Sequence, residues 1–103
     1  MAEVLVSKEA RKDLVGIHAY IQDELENPNS AKRILEMLKR NISSLTAMPL
    51  RGKPLNAILS VHTEYRYLTC EKYRIFYLVD GETVEIVRIL HTLQDYVYAL
   101  FLS

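Results

Sequence analysis

The stretch EYRYLTCEKYRIFYLVDGETVEIVRILHTLQDYVY, residues 64–98, decides the fold of this chain. It contains three runs rich in Tyr, Val, Ile and Phe, which suit a pleated surface: Tyr65–Thr69, Tyr73–Val79 and Thr83–Leu90. Asp80-Gly81 joins the last two and indicates a tight hairpin, because glycine tolerates positive φ. Glu71-Lys72 is expected to turn the first two, although neither residue favours such a turn. The stretch therefore predicts a three-stranded antiparallel meander.

Upstream of the meander, apolar residues recur every three or four positions, the spacing of one helical face. The first set follows a candidate N-cap at Ser7 and comprises Ala10, Leu14, Ile17, Ile21 and Leu25. The second set, expected to follow a cap at Asn29 or Ser30, comprises Ala31, Ile34, Leu35, Leu38, Ile42 and Leu45. Because the join around Pro28 is short, the two helices are predicted to pack as an antiparallel hairpin.

The remaining segments complete an α+β domain. Val4-Leu5-Val6 predicts an N-terminal strand, and Pro49, Gly52 and Pro54 punctuate a loop between the second helix and the meander. Ile58–Val61 is either a short strand or a packed loop, and the apolar tail Gln94–Leu102 is either a short helix or a strand. We predict a single domain over residues 1–103, with one twisted sheet and the helical hairpin on one face.

Composition restricts the classes of function. Thirteen basic and thirteen acidic residues give a formal net charge of zero, which removes the simplest argument for nucleic-acid binding. Cys70 is the single cysteine and cannot form an internal disulfide, which fits a reducing compartment. Residues 1–6 lack the features of a signal peptide, and no apolar run is long enough to cross a bilayer, so we expect a cytoplasmic protein with no membrane partner.

The motifs of other common enzyme classes are missing from the sequence. There are no paired carboxylates at catalytic spacing, no cluster with metal-ligand spacing, no glycine-rich phosphate loop and no serine-triad elbow. We therefore expect no metal and no cofactor.

Two strings in the meander resemble the RelE/ParE superfamily of toxins from type II toxin–antitoxin (plasmid stabilisation) systems. They are Lys72–Val79 (KYRIFYLV) and Val84–His91 (VEIVRILH), separated by the Asp80-Gly81 turn. The Pro49–Leu55 loop and the spacing of Ala10, Leu14, Ile17 and Ile21 are also similar to the family. The element order derived from periodicity agrees with the fold that this resemblance implies.

The resemblance implies one of two activities. RelE-like members enter the ribosomal A site and cleave mRNA without a metal, by aligning the ribose 2′-hydroxyl on the adjacent phosphate. ParE-like members bind DNA gyrase, trap its cleavage complex and are not nucleases. In both branches a partly disordered antitoxin wraps the toxin. The expected partners are therefore a cognate antitoxin and either the ribosome with mRNA or DNA gyrase.

Metal-free RNA cleavage needs a base, an acid and cations beside the phosphate. Arg74 matches the family's strand arginine, and alternation places it on one sheet face with Phe76 and Leu78. Arg66 is expected to share that face from the neighbouring strand. Each arginine has an alternative interpretation as an ion-pair partner of a nearby glutamate, and Arg88 is open to the same two interpretations.

His91 and the tail supply the other candidates. A histidine that ends the last strand can act as acid or base near neutrality, or can be structural. Nuclease-type members place a tyrosine in the tail, and here Tyr96 and Tyr98 are available, although an aromatic tail is more often part of the core. Many family members carry a cation two to three residues after His91, where this chain has Leu93-Gln94.

We rank the resulting hypotheses as follows. The first is a ribosome-dependent, metal-free mRNA endonuclease whose catalytic residues are Arg74, His91, Arg66, Tyr96 and Tyr98. The second is a ParE-type toxin that binds and poisons gyrase. The third is a non-catalytic member that only binds its antitoxin. The absent cation at Leu93-Gln94 and the neutral net charge both count against the first hypothesis, because ribosome-targeted members are usually basic.

Overall fold

The computed structural model describes residues 1–102 as one sheet between two layers of other structure. The elements are β1 (Glu3–Val6), α1 (Lys8–Ala19), α2 (Pro28–Ser44), β2 (Lys53–Pro54), β3 (Arg66–Cys70), β4 (Tyr73–Asp80) and β5 (Thr83–His91). Two segments wind as π-helix, Tyr20–Glu24 after α1 and Tyr98–Leu102 in the tail, and Leu55–Ala57 forms a 3₁₀ turn. None of the helices in this part of the chain combines the length and apolar character needed to cross a membrane.

The five strands form one sheet in the order β1-β5-β4-β3-β2. β1 runs parallel to β5, and the other neighbours are antiparallel. The predicted α+β architecture, with an N-terminal strand, a helical hairpin and a three-stranded meander, is confirmed. The structure adds the two-residue β2 within the predicted loop, places Ile58–Val61 outside any strand, and shows the tail to be helical.

Both turns of the meander contain a residue with positive φ. Asp80 pairs with Thr83, so the turn residues are Gly81-Glu82, one position later than predicted, and Gly81 has a φ of 61°. Glu71-Lys72 turns β3 into β4 as expected, and Glu71 has a φ of 55°. That conformation is uncommon for a residue with a Cβ atom. The Glu71 side chain also forms an ion pair with Arg33 of α2, at 3.1 Å.

The helix boundaries differ from the prediction in two places. Ser7 caps α1 by accepting the Ala10 N–H, as expected. The cap of α2 is Asn27, not Asn29 or Ser30, and Pro28 opens the first turn, where its missing N–H is not needed. Leu25 is 57% exposed rather than inward-facing, because the chain leaves α-helical geometry at Tyr20 and the later residues no longer follow the 3.6-residue period.

The helical face of the sheet is the face on which α1 and α2 pack. Its core is apolar and deeply buried, and its largest fully buried members are Leu38, Leu45, Ile75, Tyr77, Ile86 and Ile89. Each residue at such a site removes apolar area from water, which is the main source of stability for a small domain. This face therefore holds most of the core.

The opposite face, which we call the tail face, carries a smaller core. Leu55, Tyr67, Phe76 and Leu90 are buried there. Partly buried side chains of the tail and the preceding loop cover them: Leu59, Tyr65, Tyr96, Ala99 and Leu100. The sequence predicted a cover on one face only, and the tail is the second cover.

Where β1 ends, a side chain of α1 covers the exposed edge of β5. Phe76 pairs with Arg88 and Tyr77 with Ile86, so Val87 is an extra residue that forms a bulge in β5. Past that bulge, Asp13 of α1 accepts the Ile89 N–H at 2.9 Å and two Arg88 guanidinium N–H groups at 2.8 and 2.9 Å. A carboxylate thus satisfies edge groups that β1 is too short to reach.

Candidate functional site

Arg74 lies on the tail face, as alternation predicted. It stands between Thr69 of β3 and Leu90 of β5 in the register of the sheet. Its guanidinium carbon is 5.6 Å from the centre of the Tyr67 ring and 5.9 Å from that of Tyr96, which are cation–π distances. Its Nε is buried and has no hydrogen-bond partner within residues 1–102. The arginine is therefore held by aromatic rings and not by a glutamate.

Tyr96 is brought to Arg74 by the tail. Its ring stacks on Phe76 with a centroid distance of 5.6 Å. The Asp95 carboxylate accepts the Tyr98 N–H at 3.0 Å, so the tail turns helical directly after Asp95. Tyr98 itself is 56% exposed and does not belong to the small core. Only one of the two candidate tyrosines thus contacts the candidate arginine.

Arg66 does not join Arg74, and this expectation is wrong. Arg66 pairs directly with Tyr77, a residue of the helical face, and directly opposed residues of an antiparallel pair lie on one face. Its guanidinium donates to the backbone carbonyls of Leu50 and Gly52 at 3.2 and 2.7 Å. The prediction failed because it placed Arg66 one residue out of register with β4.

His91 also lies on the helical face. It pairs with Tyr73, and the two rings meet edge to face at 5.5 Å. Its Nδ1 accepts the Leu93 N–H at 3.1 Å, and its own backbone N–H donates to Gln94. The imidazole borders a cleft shared with Lys12, Tyr20 and Tyr73. The sheet therefore separates His91 from Arg74.

Leu93 and Gln94, where the family often has a cation, close the turn after β5. Leu93 is 88% exposed, and the Gln94 side chain accepts the His91 N–H at 2.8 Å.

Arg88, whose role the sequence left open, forms a bidentate ion pair with Asp13. The hydrogen bonds that Arg88 donates to Asp13 raise the pKa of Arg88 above its usual value. Arg88 is thus an ion-pair partner and not a free cation.

Cys70 and the acidic residues offer no alternative centre in the described residues. The thiol is buried, and burial, followed by the charge of Glu71, raises the pKa of Cys70 above its usual value, which disfavours the nucleophilic thiolate. Within residues 1–102, His, Cys, Asp and Glu do not gather in threes at a spacing that fits a metal ion.

A rigid loop is the feature that the sequence interpretation missed. Residues 48–54, which we call the anchored loop, are fixed by the buried Tyr77 hydroxyl, which accepts the Gly52 N–H at 3.0 Å. Burial raises the pKa of Tyr77, while this hydrogen bond works in the opposite direction. A Cβ atom on Gly52 would lie 2.5 Å from that hydroxyl, so only glycine fits there.

The anchored loop nevertheless presents large apolar side chains to solvent. Met48 is 62% and Leu50 is 61% exposed. The sequence around Met48 and Leu50 also has an unusual charge pattern. Residues 37–63 contain Lys39, Arg40, Arg51 and Lys53 but no aspartate or glutamate. The balanced total charge conceals this acid-free segment.

Comparison with known proteins agrees with the fold and the resemblance. The P. aeruginosa chromosomal ParDE toxin–antitoxin system includes a chain with a TM-score of 0.73 at 20% identity, covering 88% of this chain and 96% of that chain. The RelBE2 toxin–antitoxin complex from Mycobacterium tuberculosis gives a TM-score of 0.62 at 25% identity, covering 87% and 96%. The RelB–RelE complex from Methanococcus jannaschii gives 0.53 at 23% identity, covering 94% and 98%.

The two comparisons by sequence have different outcomes. No curated protein matches the chain. A family model described as the ParE toxin of the type II toxin–antitoxin system parDE matches residues 4–96, which is most of the chain. The chain therefore belongs to the ParE toxin family of type II toxin–antitoxin systems.

Proposed function

We propose that this toxin acts by binding a protein, DNA gyrase, and not by cutting mRNA. The observation that carries the proposal is the separation of the nuclease candidates: Arg74 and Tyr96 lie on the tail face, whereas Arg66 and His91 lie on the helical face. A reacting phosphate needs its cation and its acid or base within hydrogen-bond reach of the same atoms. The sheet between Arg74 and His91 keeps the histidine away from the arginine, which supports the proposal.

Membership of the ParE toxin family also supports DNA gyrase as the target. In the RelE/ParE superfamily, ParE-like members act on gyrase, and the family model that matches this chain is that of ParE. The solved structures that it resembles are toxin–antitoxin complexes, which supports a cognate antitoxin as the second partner. Both encounters would take place in the cytoplasm, a compartment that a single buried thiol suits.

One observation favours ribosome-dependent mRNA cleavage as the alternative. Arg74 and Tyr96 do meet, and an arginine without a carboxylate partner beside an aromatic ring could hold a phosphate against a base. That alternative would have to rely on a tyrosine hydroxyl to move the proton, because His91 lies on the other face of the sheet.

The deciding experiment supplies the purified toxin with each target separately. In one reaction it meets DNA gyrase, ATP and supercoiled plasmid; in the other it meets ribosomes translating a defined mRNA. We expect protein-linked linear DNA in the first reaction and intact mRNA in the second. Cleaved mRNA with no gyrase-linked breaks would refute the proposal. Failure of the induced protein to arrest bacterial growth would leave only antitoxin binding.

An arginine variant separates the mechanisms inside the cell. Arg74→Met keeps the packed stem between the tyrosines but removes the charge. We expect growth arrest to persist in this variant, since binding of gyrase does not depend on a phosphate clamp. Loss of arrest in a stably folded Arg74→Met protein would favour the nuclease.

A further inference from the structure

We propose that the anchored loop, residues 48–54, is the surface through which the toxin grips its protein target, and that this surface fits an apolar site bordered by carboxylates. The inference rests on the proposed function and adds the place of contact and the chemistry of the partner. Its apolar centre is Met48 and Leu50, and its exposed cations are Arg51 and Lys53.

The anchored loop is preorganised. Five hydrogen bonds hold residues 50–52, the middle of the loop. The Gly52 N–H reaches the Tyr77 hydroxyl, and Arg66 holds the carbonyls of Leu50 and Gly52. Arg51 donates to Asn41 and Ser44 of α2. A loop that is already ordered loses little conformational entropy when a partner binds, so its exposed side chains can contribute most of their burial to affinity.

The anchored loop carries two large apolar side chains. Met48 and Leu50, two residues apart in the sequence, are exposed to water and add to neither core. Single exposed apolar residues are common, but two on an anchored loop form a compact anchor of the kind that dominates protein interfaces.

The segment around the loop carries unpaired positive charge. Within residues 1–102, none of Lys39, Arg40, Arg51 and Lys53 forms an ion pair. Three acidic residues, Asp23, Glu24 and Glu26, precede the N-terminal end of α2, and the 17 residues of α2 separate its two ends by about 25 Å. A neutral protein whose unpaired cations are grouped in an acid-free segment is oriented by a partner that carries negative charge.

The chemistry of the cations favours a protein over DNA as that partner. Arg51 and Arg66 already donate hydrogen bonds to neutral oxygens. Bidentate binding of a phosphate by arginine requires a pair of free guanidinium N–H groups. Their charge remains and attracts carboxylates at a distance, while Met48 and Leu50 need an apolar pocket, which a DNA backbone lacks.

The test measures binding of the purified toxin to immobilised DNA gyrase without DNA. The Met48→Ser/Leu50→Ser variant is expected to bind at least about 30-fold more weakly, the loss typical of a hot spot. Leu93→Ser is the matched control, because Leu93 is more exposed and follows the far end of β5; it should bind within about twofold of the natural protein. Lys53→Glu should slow association at low salt and lose that effect at high salt.

Each remaining outcome decides the matter. If the natural protein does not bind gyrase, the proposed function fails; if it binds and the double variant binds equally well, the loop inference alone fails. Unchanged gyrase binding with loss of binding to duplex DNA, or with loss of neutralisation by the antitoxin, would also overturn it. Equal unfolding temperatures of the variants and the natural protein, expected for exposed positions, exclude misfolding as the cause.

Discussion

On the helical face of the sheet, two helices cover an apolar core; on the tail face, one π-helical segment and a loop cover four buried side chains and an arginine. The first cover is joined to the sheet through many fully buried aliphatic contacts. The second relies on ring contacts such as Phe76 on Tyr96 and Tyr65 on Phe101. The difference indicates that the helical face determines whether the domain folds, whereas the tail face can change with less effect on stability.

The largest expected effect is a cavity under the helices. Leu38 is fully buried in the helical face, so Leu38→Ala should lower the free energy of unfolding by about 2–5 kcal/mol. Urea titration followed by circular dichroism measures it, with the exposed Leu93→Ala as the control. A loss below about 1 kcal/mol would contradict the division of roles between the two faces.

Alkaline pH should weaken the helical face more than the tail face, where Tyr65 is the residue whose pKa burial raises. Burial raises the pKa of Cys70, Tyr73 and Tyr77 in the folded protein. A raised pKa gives stability that is complete below the unfolded value and is lost as pH rises through the folded value. The loss should begin near pH 9.0 for Cys70 and pH 10.0 for the tyrosines, at about 1.4 kcal/mol per pH unit for each group.

The control for this pH dependence is a variant without the titrating group. Tyr77→Phe should have a shallower fall in unfolding free energy above pH 10, and Cys70→Ala a later onset. Curves for both variants that run parallel to that of the natural protein would show that other groups control alkaline unfolding.

Removing a ring from the tail face should have a smaller effect. Tyr96→Ala loses the stacked contact with Phe76 and part of the cover over the small core, which we expect to reduce the free energy of unfolding by about 1–2 kcal/mol. Hydrogen exchange should show faster opening of residues 96–102 with little change in α2. Equal acceleration in both regions would mean that the two faces unfold as one unit.

The smallest effect is expected at Arg74. Its Nε is buried without a partner, so the charge adds little to stability and the packing of its stem adds more. Arg74→Met should change the free energy of unfolding by less than about 1 kcal/mol, with stabilisation the favoured direction. Thermal unfolding measures this, and a marked destabilisation would reveal a bond of the guanidinium that matters for folding.

The sequence predicted the helical face well because its signal is local and periodic. Ala31, Ile34, Leu38 and Ile42 follow the helical period and are all buried, and the alternation of β4 placed Arg74 and Ile75 on opposite faces. Periodicity failed at Leu25, where a π-helical segment changes the number of residues per turn.

The candidate site was harder to predict because it depends on pairing between strands. The register of β3 against β4 moved Arg66 to the other face, and the bulge at Val87 lies upstream of His91. Neither is encoded in a single run of residues. The anchored loop left a trace in the sequence, the absence of acids from residues 37–63, but its rigidity comes from Tyr77, which is distant in the chain.

The carboxylate of Asp13 also fixes how far the N-terminal elements can vary in length. Ser7 binds β5 through its N–H to Ile86 and its hydroxyl to Val87, and Asp13 meets Arg88 and Ile89 less than two helical turns later. One residue inserted between Ser7 and Asp13 would rotate Asp13 by about 100° around the axis of α1, away from the strand. Relatives that keep both contacts should therefore show no insertions or deletions from residue 7 to residue 13, while the tail is free to differ in length.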